Sequence, residues 1–109
     1  MSSLFQALGM ATRAGKLVSG DELVMKAVRS GEARIVVMAG DASDNTKKKV
    51  RDKCKFYQVE LLELSDRQSL GRSIGKSERA VLAVTDEGFA AWIRKRKSEG
   101  NPPEVESIE

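Results

Sequence analysis

The sequence contains no histidine and a single cysteine, Cys54, among its 109 residues. The absence of histidine removes the usual general base, the commonest zinc ligand and every histidine-based catalytic triad. One cysteine forms neither an internal disulfide nor a thiolate metal site, and such sparse cysteine is typical of a reducing compartment. We therefore expect no catalytic residues, no metal site and a cytoplasmic location.

Several motifs that would indicate other classes of protein are also missing. No glycine-rich segment matches a phosphate-binding P-loop or a dinucleotide-binding fingerprint, so we expect no cofactor. No apolar run approaches the roughly 18 residues of a membrane span, and the N-terminus lacks the basic region, long apolar core and cleavage site of a signal peptide. Aromatic residues make up only 5% of the chain, which argues against an extended platform for stacked single-stranded bases.

The charge of the chain is positive and unevenly distributed. Nineteen basic residues against 16 acidic ones give a net charge of +3. Four of the acidic residues lie within residues 98–109, which contain no basic residue, so residues 1–97 carry 19 basic against 12 acidic side chains, a net +7. We predict one basic α/β domain over 1–97 and a disordered acidic tail over 98–109. A small basic domain indicates an anionic polymer as its partner.

Strand and helix patterns alternate along the domain. The apolar pair Leu17-Val18 predicts a short strand, a helix follows to about Ser30, and the β-branched run at 34–39 predicts a strand buried on both faces. These three form a βαβ unit with a right-handed crossover. Further strands are predicted at 59–64 and 80–84, and further helices at about 3–13, 44–57, 65–74 and 86–97.

Three features within these elements have more than one interpretation. The helix at 44–57 carries six basic residues and a narrow apolar stripe of Val50, Cys54 and Tyr57, which indicates either a solvated outer face or a direct nucleic-acid contact. Trp92 is interpreted as a core anchor rather than a base-stacking platform. The loop at 40–43 follows a central strand, where open α/β sheets tend to bind ligands.

The turn Ser19-Gly20-Asp21, which opens the second helix, is the first candidate binding site. A helix N-terminus presents unpaired amides and favours an anion, glycine permits close approach of another backbone, and Lys26 adds a cation. We predict contact with a phosphate backbone here. The alternative is an ordinary helix start in which Glu22 and Lys26 form an i,i+4 ion pair.

A second glycine turn at Gly75 precedes the buried strand at 80–84. If the two turns belong to neighbouring strands, they form one cleft with a helix N-terminus on its wall. We predict that the two strands are neighbours and that the two turns form this cleft. The candidate binding residues are Gly20, Asp21, Glu22, Lys26, Gly75, Lys76, Ser77 and Arg79, with additional charge from Arg13 and Lys16.

Two stretches of the chain, taken together, resemble the kink-turn RNA-binding ribosomal protein superfamily, the seven-Ae and thirty-e type of large-subunit proteins. The closest similarity is to the short bacterial YlxQ-type branch, through Asp41–Thr46 and Leu70–Lys76. The resemblance covers roughly residues 4–93. The residues that carry it are Gly20–Lys26, Val28, the strand to Ala39, Asp41, Leu70–Gly75 and Ala80–Ala83.

The resemblance implies a three-layer α/β/α sandwich with a four-stranded mixed sheet, and binding without catalysis. The bound RNA would be a kink-turn, in which tandem sheared G·A pairs lie beside a sharp bend. The helix opening at Gly20 would enter the groove at those pairs, and the loop at Gly75 would cover the bulged nucleotides. We expect a monomer that binds structured RNA, with ribosomal RNA and the ribosome as candidate partners.

The chain departs from the family pattern at both stretches. Glu22 stands where the family has a base-reading asparagine and Leu23 where a glutamate follows; a register shift of one residue restores Glu22 as that glutamate. A carboxylate only accepts hydrogen bonds, so it suits the amino groups of adenine or cytosine and repels O6 and N7 of guanine. The loop after Gly75, usually apolar, contains Lys76 and Glu78.

These departures favour contacts to the RNA backbone over the reading of bases. They leave two alternatives open. One is a protein-interaction or ribosome-assembly module that keeps the fold without specific RNA readout. The other is the substrate-recognition part of an RNA-modifying enzyme.

Overall fold

The computed structural model describes residues 3–100, in which helices and strands alternate as the sequence predicts. The backbone of the last helix continues to Gly100, three residues into the segment predicted as tail, and the rest of that acidic segment lies outside the described residues. The elements are α1 (Ser3–Arg13), β1 (Leu17–Ser19), α2 (Asp21–Ser30), β2 (Ile35–Met38), α3 (Asp44–Tyr57), β3 (Glu60–Glu63), α4 (Arg67–Ser73), β4 (Val81–Val84) and α5 (Glu87–Gly100).

The four strands form one mixed sheet in the order β1-β4-β2-β3. Strand β4 is antiparallel to both of its neighbours, with Val84 opposite Leu17 on one side and Ile35 on the other. Strands β2 and β3 are parallel. It follows that β1 and β2 are parallel, as the predicted βαβ unit requires, but β4 is inserted between them. The amino end of β4 therefore lies between the carboxyl ends of β1 and β2.

Helices cover both faces of this sheet. Buried apolar residues of α2 and α3 pack against Val36, Met38, Val81 and Ala83 on one face. Residues of α1, α4 and α5 pack on the other face, where the partly buried Trp92 joins the core as predicted. The predicted three-layer α/β/α sandwich with a four-stranded mixed sheet is confirmed. Within residues 3–100, no helix has the length and apolar character needed to cross a lipid bilayer.

Side-chain caps define where three of the helices begin. Ser43 Oγ accepts a hydrogen bond of 3.1 Å from the amide of Thr46 at the start of α3. Asp86 Oδ2 accepts a hydrogen bond of 3.0 Å from the amide of Phe89 at the start of α5. The helix predicted at about 65–74 begins at Arg67, because its cap is Asp66. Ser65 instead adopts a positive φ of 60° in the turn that leads to this cap.

Candidate functional site

Gly20 is the residue at which strand β1 turns into helix α2. Its φ and ψ of 96° and 154° lie in a region that only glycine adopts readily. No side chain caps the helix that follows, so the first-turn amides remain available. A Cβ built on Gly20 would meet nothing within 4 Å. The backbone is therefore both fixed in direction and open to the approach of another molecule.

The loop at 75–80 returns to the sheet beside Gly20. The amide of Gly20 donates a hydrogen bond of 3.1 Å to the carbonyl oxygen of Val81, which extends the pairing of β1 with β4 by one residue. Residue Arg79, two positions before Val81, donates from Nε to the Oγ of Ser19 at 3.2 Å. The structure thus brings the turn at Gly20 and the end of the 75–80 loop together.

The guanidinium of Arg79 also holds the 75–80 loop in shape. Its Nη1 donates to the hydroxyl of Ser77 at 3.1 Å and to the carbonyl oxygen of Glu78 at 2.8 Å. Its backbone amide donates to the carbonyl oxygen of Arg67 at 3.1 Å. Arg79, predicted as a binding residue, is therefore also the link between β1, α4 and the loop.

Gly71 explains how closely this loop lies against helix α4. A Cβ on Gly71 would be 1.8 Å from the backbone oxygen of Ser77 and 2.6 Å from its carbonyl carbon. No side chain fits in that space, so only glycine is accommodated at this position of α4. Gly75 then reverses the chain after α4 with a φ of 74°, and its amide donates to the carbonyl oxygen of Arg72 at 3.1 Å.

Helix α2 presents both acidic and basic side chains beside Gly20. Asp21 forms an ion pair with Lys49 of α3 at 3.1 Å. Glu22 and Lys26 are exposed, and they form no ion pair with each other among the described residues. Lys26 therefore projects into solvent about 9 Å along the helix from Gly20, at 1.5 Å per residue. Its ammonium group remains available to an anionic ligand.

The ten predicted binding residues divide into two groups. Arg13 and Lys16 lie at the other end of β1, since Lys16 accepts a hydrogen bond from the amide of Thr85, beyond the carboxyl end of β4. That end is roughly 13 Å from Gly20 at 3.3 Å per residue. Arg13 lines a cleft of about 470 Å³ between α1 and α4, with Arg72 on the opposite wall. The other eight residues lie on α2 and its N-cap or in the 75–80 loop.

The loop at 40–43, predicted as a ligand-binding position, has a structural role at its acidic residue. Asp41 Oδ1 accepts a hydrogen bond of 2.8 Å from the amide of Arg67, the first residue of α4. Asp66 caps the same helix, and its hydrogen bond from the amide of Ser69 holds the pKa of this carboxyl below its usual range. Both carboxylates therefore position α4, and with it the 75–80 loop.

Nothing in the described part of the chain indicates bound metal chemistry, because no three acidic or cysteine side chains cluster there. Cys54 is buried, and burial raises the pKa of its thiol to about 11, so it is not poised as a nucleophile. The arrangement beside Gly20 consists of open amides, one projecting lysine and an arginine-stiffened loop. Such a surface can bind an anion.

Sequence reasoning placed Ser19 in the turn at Gly20 but missed its hydrogen bond from Arg79, which is 60 residues away in the chain. A serine at the end of a short strand gives no signal of such a distant partner. It also missed Lys49, whose ion pair with Asp21 joins α3 to the N-terminus of α2. The only signal for Lys49 was its place among the basic residues of α3.

Comparison with known sequences finds a family model described as the ribosomal protein L7Ae/L30e/S12e/Gadd45 family, which matches residues 2–93. The chain is 54% identical over 86 residues to the RNA-binding protein YlxQ of Bacillus subtilis (strain 168), covering 79% of this chain and 86% of that protein. It is 47% identical over 83 residues to the RNA-binding protein YlxQ of Enterococcus faecium, covering 76% and 80%.

Comparison with solved structures finds the same fold. A protein of unknown function from Bacillus halodurans superposes with a TM-score of 0.86 at 41% identity, covering 90% of this chain and 99% of that one. The 15.5 kD RNA-binding protein of Giardia lamblia superposes with a TM-score of 0.75 at 18% identity, covering 88% and 82%. At that identity the second likeness concerns the fold alone.

Proposed function

Since this chain belongs to the ribosomal protein L7Ae/L30e/S12e/Gadd45 family, we propose that it is an RNA-binding protein that recognises structured RNA of the kink-turn type without catalysing a reaction. The names of two relatives, both RNA-binding proteins that align with more than three quarters of this chain, support the RNA partner. We further propose that it acts as a monomer in the cytoplasm, on RNA of the ribosome.

The observation that carries this proposal is the junction of the Gly20 turn with the 75–80 loop. The hydrogen bonds from Gly20 to Val81 and from Arg79 to Ser19 hold two segments, 60 residues apart, as one surface. A kink-turn has a groove at its sheared pairs and bulged nucleotides beside them. In this proposal the α2 N-terminus enters the groove and the loop covers the bulged nucleotides. Both can bind at once because the two hydrogen bonds hold them at a fixed distance from each other.

We propose a role for several exposed residues at this surface. The open amides and Gly20 would approach the phosphate backbone, and Lys26 would contact a phosphate or the edge of a guanine. Glu22 would accept a hydrogen bond only from an amino group of adenine or cytosine. Leu23, which is 54% exposed, offers apolar contact to a sugar or base. Lys76 would add a phosphate contact from the loop.

The test is a binding titration of two matched RNAs at two salt concentrations. One RNA contains a kink-turn, and the other is a straight helix of the same length. We expect the kink-turn RNA to bind at least tenfold more tightly. Its log affinity should fall by roughly 0.7 to 0.9 per phosphate contact per log unit of salt. Lys26→Ala should weaken kink-turn binding. Lys95→Ala should not, because Lys95 is an exposed residue of α5, which lies on the other face of the sheet from α2.

The rival function is a protein-interaction or ribosome-assembly module that has kept the fold without specific RNA readout. The exposed Leu23 and the carboxylate of Glu22 at the α2 N-terminus favour it, because both weaken recognition of a guanine edge. Equal affinity for the kinked and the straight RNA, or an affinity that does not change with salt, would favour this rival.

A further inference from the structure

Two aromatic rings are exposed at the carboxyl end of helix α3, away from the surface described above. Phe56 is 77% exposed and Tyr57 is 37% exposed. Their ring centroids are 4.9 Å apart, and the planes meet at 78° in an edge-to-face arrangement. Tyr57, predicted on the apolar stripe of this helix, therefore lies at the surface with its neighbour. Phe56, the more exposed of the two, offers most of its ring to solvent.

The basic residues of α3 separate into paired and unpaired sets. Four of them contact a carboxylate: Lys47 and Arg51 contact Glu63, Lys48 contacts Asp52, and Lys49 contacts Asp21. The other two, Lys53 and Lys55, are exposed and form no ion pair in the part of the chain that the structure describes.

One of these two unpaired lysines, Lys53, lies on the same face of α3 as the aromatic pair. Lys53 precedes Phe56 by three residues and Tyr57 by four, so the three side chains share one face of the helix. Lys55 lies in the same turn but on another side of the helix, because side chains one or two residues apart do not share a face. Uncompensated positive charge and an exposed aromatic face thus occur at the same end of α3. Single-strand binding has two elements: cations that contact the phosphates, and aromatic rings on which the bases stack.

We propose that the carboxyl end of α3 binds unpaired nucleotides that extend from the RNA held at Gly20, with one base stacked on Phe56 and a phosphate at Lys53. The inference rests on the proposed function for the position of that RNA. The ion pair between Lys49 and Asp21 fixes α3 beside the α2 N-terminus. Phe56 is seven residues further along α3, about 10 Å, a span that a few nucleotides cover.

The test compares kink-turn RNAs that differ only in a single-stranded extension of eight alternating adenosines and cytidines. One RNA has no extension, and the two others carry it on one strand or the other. Wild-type protein should bind at least one extended RNA about fivefold to tenfold more tightly than the RNA without extension. The salt dependence should also be steeper, by roughly 0.7 in slope for each phosphate contacted.

Three substitutions at one position separate stacking from simple apolar contact. Phe56→Ala and Phe56→Leu should both remove the advantage of the extension, whereas Phe56→Trp should keep it, because only an aromatic face stacks on a base. Lys53→Gln should reduce the difference in salt slope, and Lys95→Gln on α5 serves as its matched control. All of these side chains are exposed, so the variants should fold.

Two results would overturn the inference while leaving kink-turn binding intact. One is equal affinity of wild-type protein for the extended and unextended RNAs. The other is an extension advantage that survives in Phe56→Ala, which would leave the aromatic pair as a surface for a protein partner. If no kink-turn RNA binds, the proposed function fails, and the α3 site is tested with the free single strand of eight alternating adenosines and cytidines. Saturable binding that is lost in Phe56→Ala supports the α3 site. No saturable binding of this strand overturns it.

Discussion

Arg79 donates a hydrogen bond of 3.2 Å from Nε to the Oγ of Ser19, and so joins the loop before β4 to the end of β1. The same guanidinium holds Ser77 and Glu78 through Nη1. One planar side chain with several fixed donors therefore organises the loop and sets its position beside Gly20. Charge alone would not accomplish this.

Replacing Arg79 separates loop organisation from charge. Arg79→Lys keeps the positive charge but cannot donate in several fixed directions. Because hydrogen bonds from a charged group contribute about 1.5 to 3 kcal/mol, we expect Arg79→Lys and Arg79→Gln to weaken kink-turn binding similarly, by about tenfold. Amide hydrogen exchange at 76–78 should also become faster. Wild-type affinity in Arg79→Lys would mean that the residue acts only as a cation.

A methyl group at residue 71 should displace the 75–80 loop. The Cβ of Gly71→Ala would lie 1.8 Å from the backbone oxygen of Ser77, and such overpacking costs about 1 to 3 kcal/mol. We expect a free energy of unfolding lower by that amount in urea titrations, together with weaker RNA binding. Arg72→Ala, at the exposed next position of α4, should change stability by less than about 0.5 kcal/mol. Equal stability of the two variants would contradict the observed packing.

Two glycines with positive φ provide a matched pair for the role of Gly20. Gly20 and Gly15 have φ of 96° and 72°, and a Cβ on either would meet nothing within 4 Å. Alanine at each position should therefore cost stability through backbone strain, on the order of 1 to 3 kcal/mol. Only Gly20→Ala should weaken RNA binding, by about tenfold or more, because only there would the methyl group meet the RNA. Equal losses of affinity would point to strain alone.

Cys54 should be unreactive in the folded protein. Burial raises the pKa of its thiol to about 11, so very little thiolate, the reactive form, exists at pH 8. Alkylation by iodoacetamide, followed by mass spectrometry, should be slow in buffer and fast in urea. Since the folded state retains this proton where the unfolded state loses it, stability should fall as the pH rises from about 9 towards 11. Fast alkylation of the folded protein at pH 8 would contradict this.

The sequence predicts the features that depend on local pattern. The β1–α2–β2 order and the burial of β2 and β4 both follow from the pattern of apolar residues. Gly20 stands out because a glycine between a strand and an amphipathic helix marks a turn that a side chain would strain. Family membership is evident from two short stretches whose order and spacing match together.

Long-range pairing is not predictable in the same way. The insertion of β4 between β1 and β2 brings Gly20 to Val81, and no local pattern specifies a partner 61 residues away. For the same reason the sequence suggests a ligand loop at Asp41, although this residue accepts from the amide of Arg67. Arg13 and Lys16 are assigned to the site from their charge alone. The structure places them at the end of β1 opposite Gly20.

The most direct test of the central claim, that the α2 N-terminus and the 75–80 loop bind RNA as one surface, is a two-dimensional NMR titration of the labelled protein with a kink-turn RNA. We predict that the amide signals of residues 20–23 and 76–79 shift together, in proportion to the same bound fraction, while those of α5 stay in place. Shifts confined to one of the two segments, or centred on the cleft between α1 and α4, would contradict the claim.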